Sequence, residues 1–428
     1  MGEQTGKTAR VSALRRTGQL LVACLITSAL VSACSSSTSS AAVDGAQVTT
    51  LTMEAKTGYT PQAINGGTDD YHCTLVDPHA TQNSFIVSSQ FFPGTGKSVA
   101  EVHHAILFLV PPNLVREAKT ANDGGKGWTC FGEPPVVGTG LTQFLSMPWL
   151  SAWAPGHGKD VMPATTGTPL PKGSLIIMQV HYNLLAGTLP VAPRAQLDTV
   201  PASTHLRPTS IQPLAAVPNV PCPTGVTGPL CDRTAELANL SQRFGSYMTT
   251  FDAGIEKICG NDPANPPTGT TTTCTWRVRK AGYIVRAAPH MHLLGTAQSI
   301  TLNAGTPQAK TIMDVPHYNF DYQKAYNISP WIKVAPGDTL KVSCTYNPAL
   351  AQELPQLRKL APHFVTWGDG TSDEMCLGLV WEVPLKANAT VDWKHPTGGI
   401  QIGGPPGSRP PGDGPPPGDP GAPGTPAQ

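Results

Sequence analysis

The segment LIIMQVHYN at residues 175–183 is dominated by apolar side chains and follows a Pro-Lys-Gly turn at residues 171–173. Similar short apolar runs, separated by other Pro/Gly turns, occur at residues 105–110, 276–286, 339–346 and 376–383. Short runs bounded by turn residues are typical of β-strands. We therefore predict an all-β fold with two antiparallel, jelly-roll-like β-sandwich domains in tandem.

The best helical candidate runs from Arg233 to Tyr247, between the two β-rich halves. The chain has 428 residues, and its middle part is too long for one ordinary core. We predict an N-terminal domain at residues 50–205 and a C-terminal domain at residues 206–395. The second domain includes an interdomain insertion at about residues 206–275, to which the sequence assigns no role.

The N-terminus has the charge pattern of a secretory signal peptide, predicted at residues 1–33. Basic residues at positions 7, 10, 15 and 16 precede the apolar run 20–31, which is short for a membrane span. The run ends in LVSAC at residues 30–34, which resembles the lipobox of bacterial lipoproteins. We therefore expect an exported protein of the bacterial cell envelope, anchored to the membrane through a lipid on Cys34. An ordinary cleaved signal with a chance cysteine is the alternative.

Both ends of the mature chain are predicted to be unstructured. Residues 34–49 are rich in Ser, Thr and Ala, and residues 396–428 are rich in Pro and Gly, compositions that bury little apolar surface. The chain carries 29 basic and 28 acidic residues without a basic cluster beyond the signal. A nucleic-acid partner is therefore not expected.

Cysteine usage agrees with export. Of the ten cysteines, Cys24 lies in the signal and Cys34 is the predicted lipid anchor, which leaves eight. An even number in an exported chain predicts disulfide bonds. None of the eight shows the tight paired spacing of a zinc knuckle, so zinc-finger chemistry is not expected.

Five of the twelve histidines fall in three apolar settings. These are His103 and His104 in EVHHAIL, His181 in MQVHYN, and His290 with His292 in APHMHLLG. Alternate residues of a strand share a face, so His290 and His292 could bind one metal ion. Adjacent histidines point to opposite faces, so the first pair can meet at one ion only at a strand end or a bulge.

Each of these residues also has a structural interpretation. A single strand histidine such as His181 is more often a hydrogen-bonded structural residue than a ligand. Met375, in TSDEMC at residues 371–376, follows a Gly-rich turn and precedes an apolar strand, and by itself it would be assigned to the core.

Taken in order, the motifs resemble the copper type II, ascorbate-dependent monooxygenases, the family of the peptidylglycine and dopamine hydroxylases. The order is His-His, a histidine in a Gln-Val-His-Tyr context, His-x-His, and Asp-Glu-Met-Cys. Supporting segments are WAPG at 153–156, NFDYQ at 319–323 and CTYN at 344–347. The resemblance covers about residues 50–391.

The resemblance implies two copper ions per chain, held at sites that face an interdomain cleft. It assigns the ligands His103, His104 and His181 to an electron-donating copper, and His290, His292 and Met375 to an oxygen-activating copper. Imidazole suits copper and a thioether favours Cu(I), so the ligand chemistry agrees. A site with three protein ligands also leaves a position open for O₂.

The implied activity is hydroxylation of a C–H bond in an unidentified small organic substrate. O₂ is one co-substrate, and ascorbate or another one-electron reductant is the other. The resemblance also pairs Cys73 with Cys130 and Cys344 with Cys376. Proximity in sequence suggests Cys222 with Cys231 and Cys259 with Cys274.

The substrate is less well defined than the metal chemistry. The peptide-hydroxylating branch holds its substrate's carboxylate with an arginine before His-x-His and with an asparagine and a tyrosine after Met-Cys. This chain has Ala288, Leu377 and Leu379 at those positions, so a peptide carboxylate is not expected and an apolar or uncharged molecule is favoured. Two other functions stay open: a non-catalytic copper-storage or copper-sensing lipoprotein, and a zinc hydrolase, which the thioether of Met375 disfavours.

Overall fold

The computed structural model describes residues 45–55, 58–131, 141, 145, 148–394, 396 and 402–403. The predicted signal peptide and Cys34 lie outside the described residues, as do most of the predicted linker and tail. None of the helices in the described ranges is both long and apolar enough to cross a membrane.

In the described part of the chain, the strands before residue 209 form two sheets, which we call the first half. They are β1 (Thr49–Glu54), β2 (Asp69–Val76), β3 (Ser84–Phe92), β4 (Val102–Val110), β5 (Trp128–Thr129), β6 (Trp149–Trp153), β7 (Asp160–Val161), β8 (Thr166–Leu170), β9 (Leu175–Asn183), β10 (Arg194–Pro201) and β11 (Arg207–Pro208). One sheet has the order β1-β10-β3-β8-β11, with β7 paired to β3, and the other has the order β5-β2-β9-β4-β6. The pairs are antiparallel except β8–β11, which is parallel.

The strands from residue 210 onward form two more sheets, which we call the second half. They are β12 (Ser210–Ala216), β13 (Thr271–Val278), β14 (Gly282–His290), β15 (Gly295–Leu302), β16 (Lys310–Val315), β17 (Tyr326–Val334), β18 (Thr339–Tyr346), β19 (Cys376–Pro384) and β20 (Ile402–Gly403). The sheet orders are β12-β19-β14-β17 and β16-β15-β18-β13-β20. The predicted all-β sandwich fold with antiparallel sheets is confirmed.

The sheet that contains β9 is buried on both faces, which explains its near-continuous apolar sequence. Along β9, Ile176 and Met178 pack into the core between the two sheets of the first half. Ile177 points the other way and belongs to the core cluster that extends through the second half. The two halves therefore pack against each other through one face of this sheet. His181 lies four positions after Ile177 on the same strand, so its side chain points to that same face.

The helices whose bounds the structure describes lie outside the sheets. They are α1 (Val115–Ala121), α2 (Arg233–Phe244), α3 (Tyr247–Cys259) and α4 (Leu350–Glu353), with short 3-10 turns at Ile64–Gly66, Gly96–Glu101, Pro112–Leu114, Asp123–Gly125 and Ala202–Thr204. Asp232 caps the start of α2 because its carboxylate accepts the N–H of Ala235 at 2.8 Å. The predicted helix from Arg233 to Tyr247 starts where expected but ends at Phe244, and Gly245 follows with φ 114°.

The second helix of the insertion, α3, was not predicted. Its buried residues Met248, Phe251 and Ile255 repeat with helical spacing, so the signal is present in the sequence. Strand β12 also lies within the predicted insertion at 206–275 but pairs with β19, so it belongs to a core sheet. The part of the insertion outside the sheets is therefore limited to the segment between β12 and β13.

Two other predictions differ from the structure. The apolar run 276–286 is not one strand, because the chain turns after Val278 and passes from the sheet of β18 to the sheet of β19. Within the tail predicted to be disordered, Ile402 pairs with Val278 as part of β20.

Four disulfides link the pairs named from the sequence. They are Cys73–Cys130, Cys222–Cys231, Cys259–Cys274 and Cys344–Cys376. The third ties the end of α3 to β13, and the fourth joins β18 to β19 across the two sheets of the second half. The end of α3 and the start of β19 are thus covalently fixed.

Candidate metal centres and the adjoining cavity

The first group of candidate ligands is the triad His103, His104 and His181. One ring nitrogen of each lies within 4.8 Å of those of the other two. The ring centroids are 5.2 Å apart for His103–His104 and 4.8 Å apart for each contact with His181. All three side chains are buried, so the triad could enclose one metal ion.

A bulge brings the adjacent histidines together. The register between β4 and β9 shifts between Val102 and His104, as expected if His103 and His104 are to reach one ion. His104 lies directly opposite His181 in this register. The strand start therefore turns two neighbouring side chains toward the same point.

Asp69 fixes the orientation of the third histidine. Its Oδ1 lies 2.9 Å from Nε2 of His181, and Nδ1 of His181 lies 3.4 Å from Nδ1 of His104. The carboxylate thus leaves Nδ1 of His181 to face the triad, an arrangement common behind metal-bound histidines. Burial opposes ionisation of Asp69, but the contacts with His181 and Thr371 hold its pKa below the usual range.

The second group consists of His290, His292 and Met375. His290 ends β14, whereas His292 lies in the loop before β15, so the prediction that both histidines lie on one strand is wrong. Nδ1 of His290 lies 2.7 Å from Oε1 of Gln323, and Nδ1 of His292 lies 3.1 Å from the carbonyl oxygen of Asp373. Each contact uses Nδ1, so Nε2 of each ring points away from that partner and is left for a metal.

Glu374 ties the loop of His292 to the segment of Met375. Its carboxylate accepts the backbone N–H of His292 at 2.9 Å and that of Leu294 at 2.6 Å. Burial raises the pKa of Glu374 to about 8, although these N–H donors act in the opposite direction. Met375 follows directly and is itself buried, one residue before the disulfide-bonded Cys376.

The two groups are in contact with each other. The ring centroids of His104 and His290 are 5.5 Å apart, and those of His103 and His292 are 6.0 Å apart. The sequence resemblance implies sites that face a cleft between domains. In the structure the rings of the two groups meet directly, and His104, His290 and Met375 line one cavity.

The electrostatics of the cluster suit metal binding. Burial, reinforced by the neighbouring imidazoles, lowers the pKa of His103 and His104 well below the usual value. Burial also lowers the pKa of His290 to about 4 and that of His292 to about 3. These imidazoles are therefore neutral near pH 7, which is the form that binds metals.

Unpartnered ring nitrogens provide a test of whether the residues fit copper. Nε2 of His103 and Nε2 of His292 are buried without a hydrogen-bond partner among the described residues. Such atoms are rare in folded proteins unless a metal or water completes them. Five imidazoles with one thioether form a donor set that suits copper. The residues present therefore fit the expected ions.

The cavity beside these ligands has a volume of about 350 Å³, within the range of small-molecule sites. Its described wall includes Ala288, Leu377 and Leu379, the three positions that replace the carboxylate-binding residues of the peptide-hydroxylating branch. Aromatic side chains form much of the remaining wall. They include Trp149, Trp153, Phe244, Tyr247, Phe251 and Trp381.

Fold and site together define an all-β sandwich protein with a largely buried histidine–methionine cluster that could hold metal ions. Residues 258–381 match the model of the family described as copper type II ascorbate-dependent monooxygenase, C-terminal domain. That match contains His290, His292 and Met375. Residues 258–381 are therefore similar to the C-terminal domain of this family.

One curated relative is the tyramine beta-hydroxylase of Caenorhabditis briggsae, 21% identical over 330 residues. The match covers 73% of this chain and 43% of the relative, so the chain spans less than half the length of the relative that it matches. Among solved structures, an allantoicase is 10% identical over 68% of this chain and 77% of that chain, with a TM-score of 0.17. The infectious bursal disease virus VP2 subviral particle is 10% identical over 82% and 74%, with a TM-score of 0.18. Scores this low support no fold relationship.

The structure adds residues that sequence reasoning missed. Glu374 and Gln323 lie inside the quoted motifs DEMC and NFDYQ, but no role was assigned to them. Asp69 had no motif at all. All three hold ligand side chains or their backbone rather than offering a metal ligand of their own.

Proposed function

We propose that the chain is a copper-dependent monooxygenase that hydroxylates a C–H bond of a small organic substrate with O₂ and a one-electron reductant such as ascorbate. The overall balance is R–H + O₂ + 2 e⁻ + 2 H⁺ → R–OH + H₂O, with both electrons supplied by the reductant. The observation that carries this proposal is that both ligand groups meet at the wall of one apolar cavity. A substrate carbon in that cavity would lie beside the metal ligands.

Each ligand group has a separate role in this proposal. Bound copper supplies the one-electron redox chemistry that O₂ reduction requires. The triad His103, His104 and His181 would hold the ion that stores and donates an electron. His290, His292 and Met375 would hold the ion at which O₂ reacts, since the soft thioether favours Cu(I).

The surrounding residues orient these ligands. Asp69 fixes the ring of His181, and Gln323 fixes that of His290 through a 2.7 Å contact. Phe320 stacks on His103 with ring centroids 4.3 Å apart, and Tyr71 stacks on His181 at 4.1 Å. The ligand rings are thus held by both hydrogen bonds and aromatic stacking.

We also propose that the protein is exported and anchored to the membrane of a bacterial cell envelope through lipidated Cys34. The signal-like N-terminus and the lipobox-like LVSAC at residues 30–34 support this location, as does the presence of four disulfides. In cells, Cys34→Ser should release the protein from the membrane fraction and abolish labelling by a palmitate analogue. Unchanged membrane association and labelling would contradict the lipid anchor.

The function is tested with purified full-length protein reconstituted with copper. We expect about two copper ions per chain, with ascorbate-dependent O₂ consumption coupled to a hydroxylated product. Tight binding of two copper ions without product from any tested substrate would favour the copper-storage function instead. Activity with zinc, accompanied by hydrolysis and independent of ascorbate, would favour the hydrolase.

A further inference from the structure

We infer that the cavity beside Met375 binds an uncharged, largely apolar molecule that carries a ring, and that helices α2 and α3 determine which molecule fits. The inference extends the proposed function by naming the class of substrate. It rests on where the cavity lies, on the chemistry of its wall, and on how the two helices are held.

The cavity lies directly against the proposed oxygen-activating site. His290 and Met375 are on its wall, and His104 of the other group is there too. Strand β19 begins directly after Met375 and contributes Leu377 and Leu379 to the wall. A molecule in this space would therefore contact apolar side chains on the same strand that follows the thioether ligand.

Aromatic rings enclose the cavity from several elements. Trp149 and Trp153 come from β6, and Trp381 comes from β19. Phe244 and Phe251 come from α2 and α3, and both are buried. Aromatic rings pack well against other rings through stacked and edge-to-face contacts, which favours a ring-bearing ligand.

The charged groups on the described wall already have protein partners. Asp160 forms an ion pair with Arg286, and the carboxylate of Asp369 accepts a hydrogen bond from the hydroxyl of Tyr247. Burial lowers the pKa of His157, which keeps this imidazole neutral near pH 7. An anionic ligand would lose its hydration without meeting a free cation on the described wall, and a cationic ligand would meet the carboxylate of Asp369 only in competition with the hydroxyl of Tyr247. A neutral ligand avoids the cost of burying a charge.

The insertion helices form a fixed wall. Arg233, the first residue of α2, forms a 2.7 Å ion pair with Asp252 of α3. Arg243 of α2 contacts Asp373, two residues before Met375, at 2.6 Å. The helices are therefore tied to each other and to the metal-binding segment, so their aromatic residues form a preformed surface.

The charge preference is tested with three probes that share one skeleton: 2-phenylethanol, 2-phenylethylamine and phenylacetate. At pH 7 the first is neutral, the second is a cation and the third is an anion. Binding to the copper-loaded full-length protein is measured by calorimetry, and hydroxylated product is measured with ascorbate and O₂. We expect 2-phenylethanol to bind at least tenfold more tightly than either charged probe.

The role of the helices is tested with Phe251→Ala and Tyr247→Phe, with Leu237→Ala as the matched control. Leu237 packs on the core from α2 but does not line the cavity. We expect Phe251→Ala to weaken binding of 2-phenylethanol about tenfold while copper content stays unchanged. Tyr247→Phe keeps the ring but removes a hydrogen bond to Asp369, so the preference for the neutral probe over the amine should fall. Leu237→Ala should change neither affinity.

The outcomes separate this inference from the proposed function. Preferred binding of 2-phenylethanol without any hydroxylated product would support the cavity assignment and contradict the monooxygenase activity. Tighter binding of the amine or of phenylacetate would overturn the inference even if product forms. The absence of binding by all three probes would overturn it as well, and so would equal losses in Phe251→Ala and Leu237→Ala.

Discussion

Replacing Asp69 with asparagine tests how the first metal centre is organised. Oδ1 of Asp69 faces Nε2 of His181 at 2.9 Å and also accepts the backbone N–H of Thr371 at 2.9 Å. Asparagine keeps the shape and an acceptor oxygen but removes the negative charge. The substitution therefore isolates the charge that orients His181 from the packing around it.

The expected cost follows from these contacts. Loss of a carboxylate behind a metal-bound histidine typically lowers metal affinity by about 10- to 100-fold, or about 1.4–2.7 kcal/mol. Each hydrogen bond also weakens by about 0.5–1.5 kcal/mol when a neutral acceptor replaces a charged one. The variant should therefore lose affinity at one copper site and some free energy of unfolding.

The pKa of Asp69 also determines how its contribution to the free energy of unfolding changes with pH. The pKa of Asp69 is lowered in the folded state, so its stabilising contribution is present above the unfolded pKa and is lost as the pH falls through the folded value. The difference in unfolding free energy between parent and Asp69→Asn should therefore be largest near pH 7 and shrink in acid. Chemical denaturation at several pH values measures it.

Asp70 provides the matched control. It is the next residue on β2, is fully buried, and accepts the hydroxyl of Tyr59 at 2.7 Å and the N–H of Gln62 at 2.9 Å. Asp70→Asn should cost stability without changing copper affinity, as measured by chelator competition and by the Cu(II) electron paramagnetic resonance spectrum. Equal copper affinities in the parent and in Asp69→Asn, or an equal loss in both variants, would refute this account of Asp69.

Three further predictions concern other parts of the molecule. Met375→Ile should abolish hydroxylation, with bound copper falling from about two per chain toward one, or staying near two with weakened affinity; full activity would rule Met375 out as an essential ligand. Loss of the Cys344–Cys376 bridge in the double alanine variant should cost about 2–5 kcal/mol of stability and release copper first from the second group, as followed by metal analysis during denaturation; unchanged affinity at both sites would contradict this. Burial and the nearby Asp373 raise the pKa of Glu236 to about 7. The free energy of unfolding of the protein should therefore fall by up to about 3 kcal/mol as the pH rises from about 4.5 through 7. Glu236→Gln should remove that loss, and thermal unfolding curves that change equally between pH 5 and pH 8 in both proteins would disprove it.

Much of the fold and the ligand set could be predicted because their signals are local. The apolar runs of β4 and β9 are each nine residues long, and alternation along them determines which side chains face the second half. Strand geometry also predicts that His103 and His104 can converge only at a strand end or a bulge. The register shift between Val102 and His104 in the pairing of β4 with β9 supplies that bulge. The break between β13 and β14 was missed because apolar composition does not show when a chain changes sheets.

The residues that hold the ligands could not be predicted because their contacts join distant parts of the chain. Asp69 and Thr371 are separated by 302 positions, and Glu374 lies 82 positions from the backbone N–H of His292. No periodicity relates such pairs, and an isolated aspartate at the start of a strand is ordinarily a surface residue. Yet Asp69 joins the segment of Met375 to the strand of His181. Glu374 joins the same segment to the loop of His292. The metal ligands follow from short motifs, whereas the contact between the two ligand groups depends on this long-range pairing of the halves.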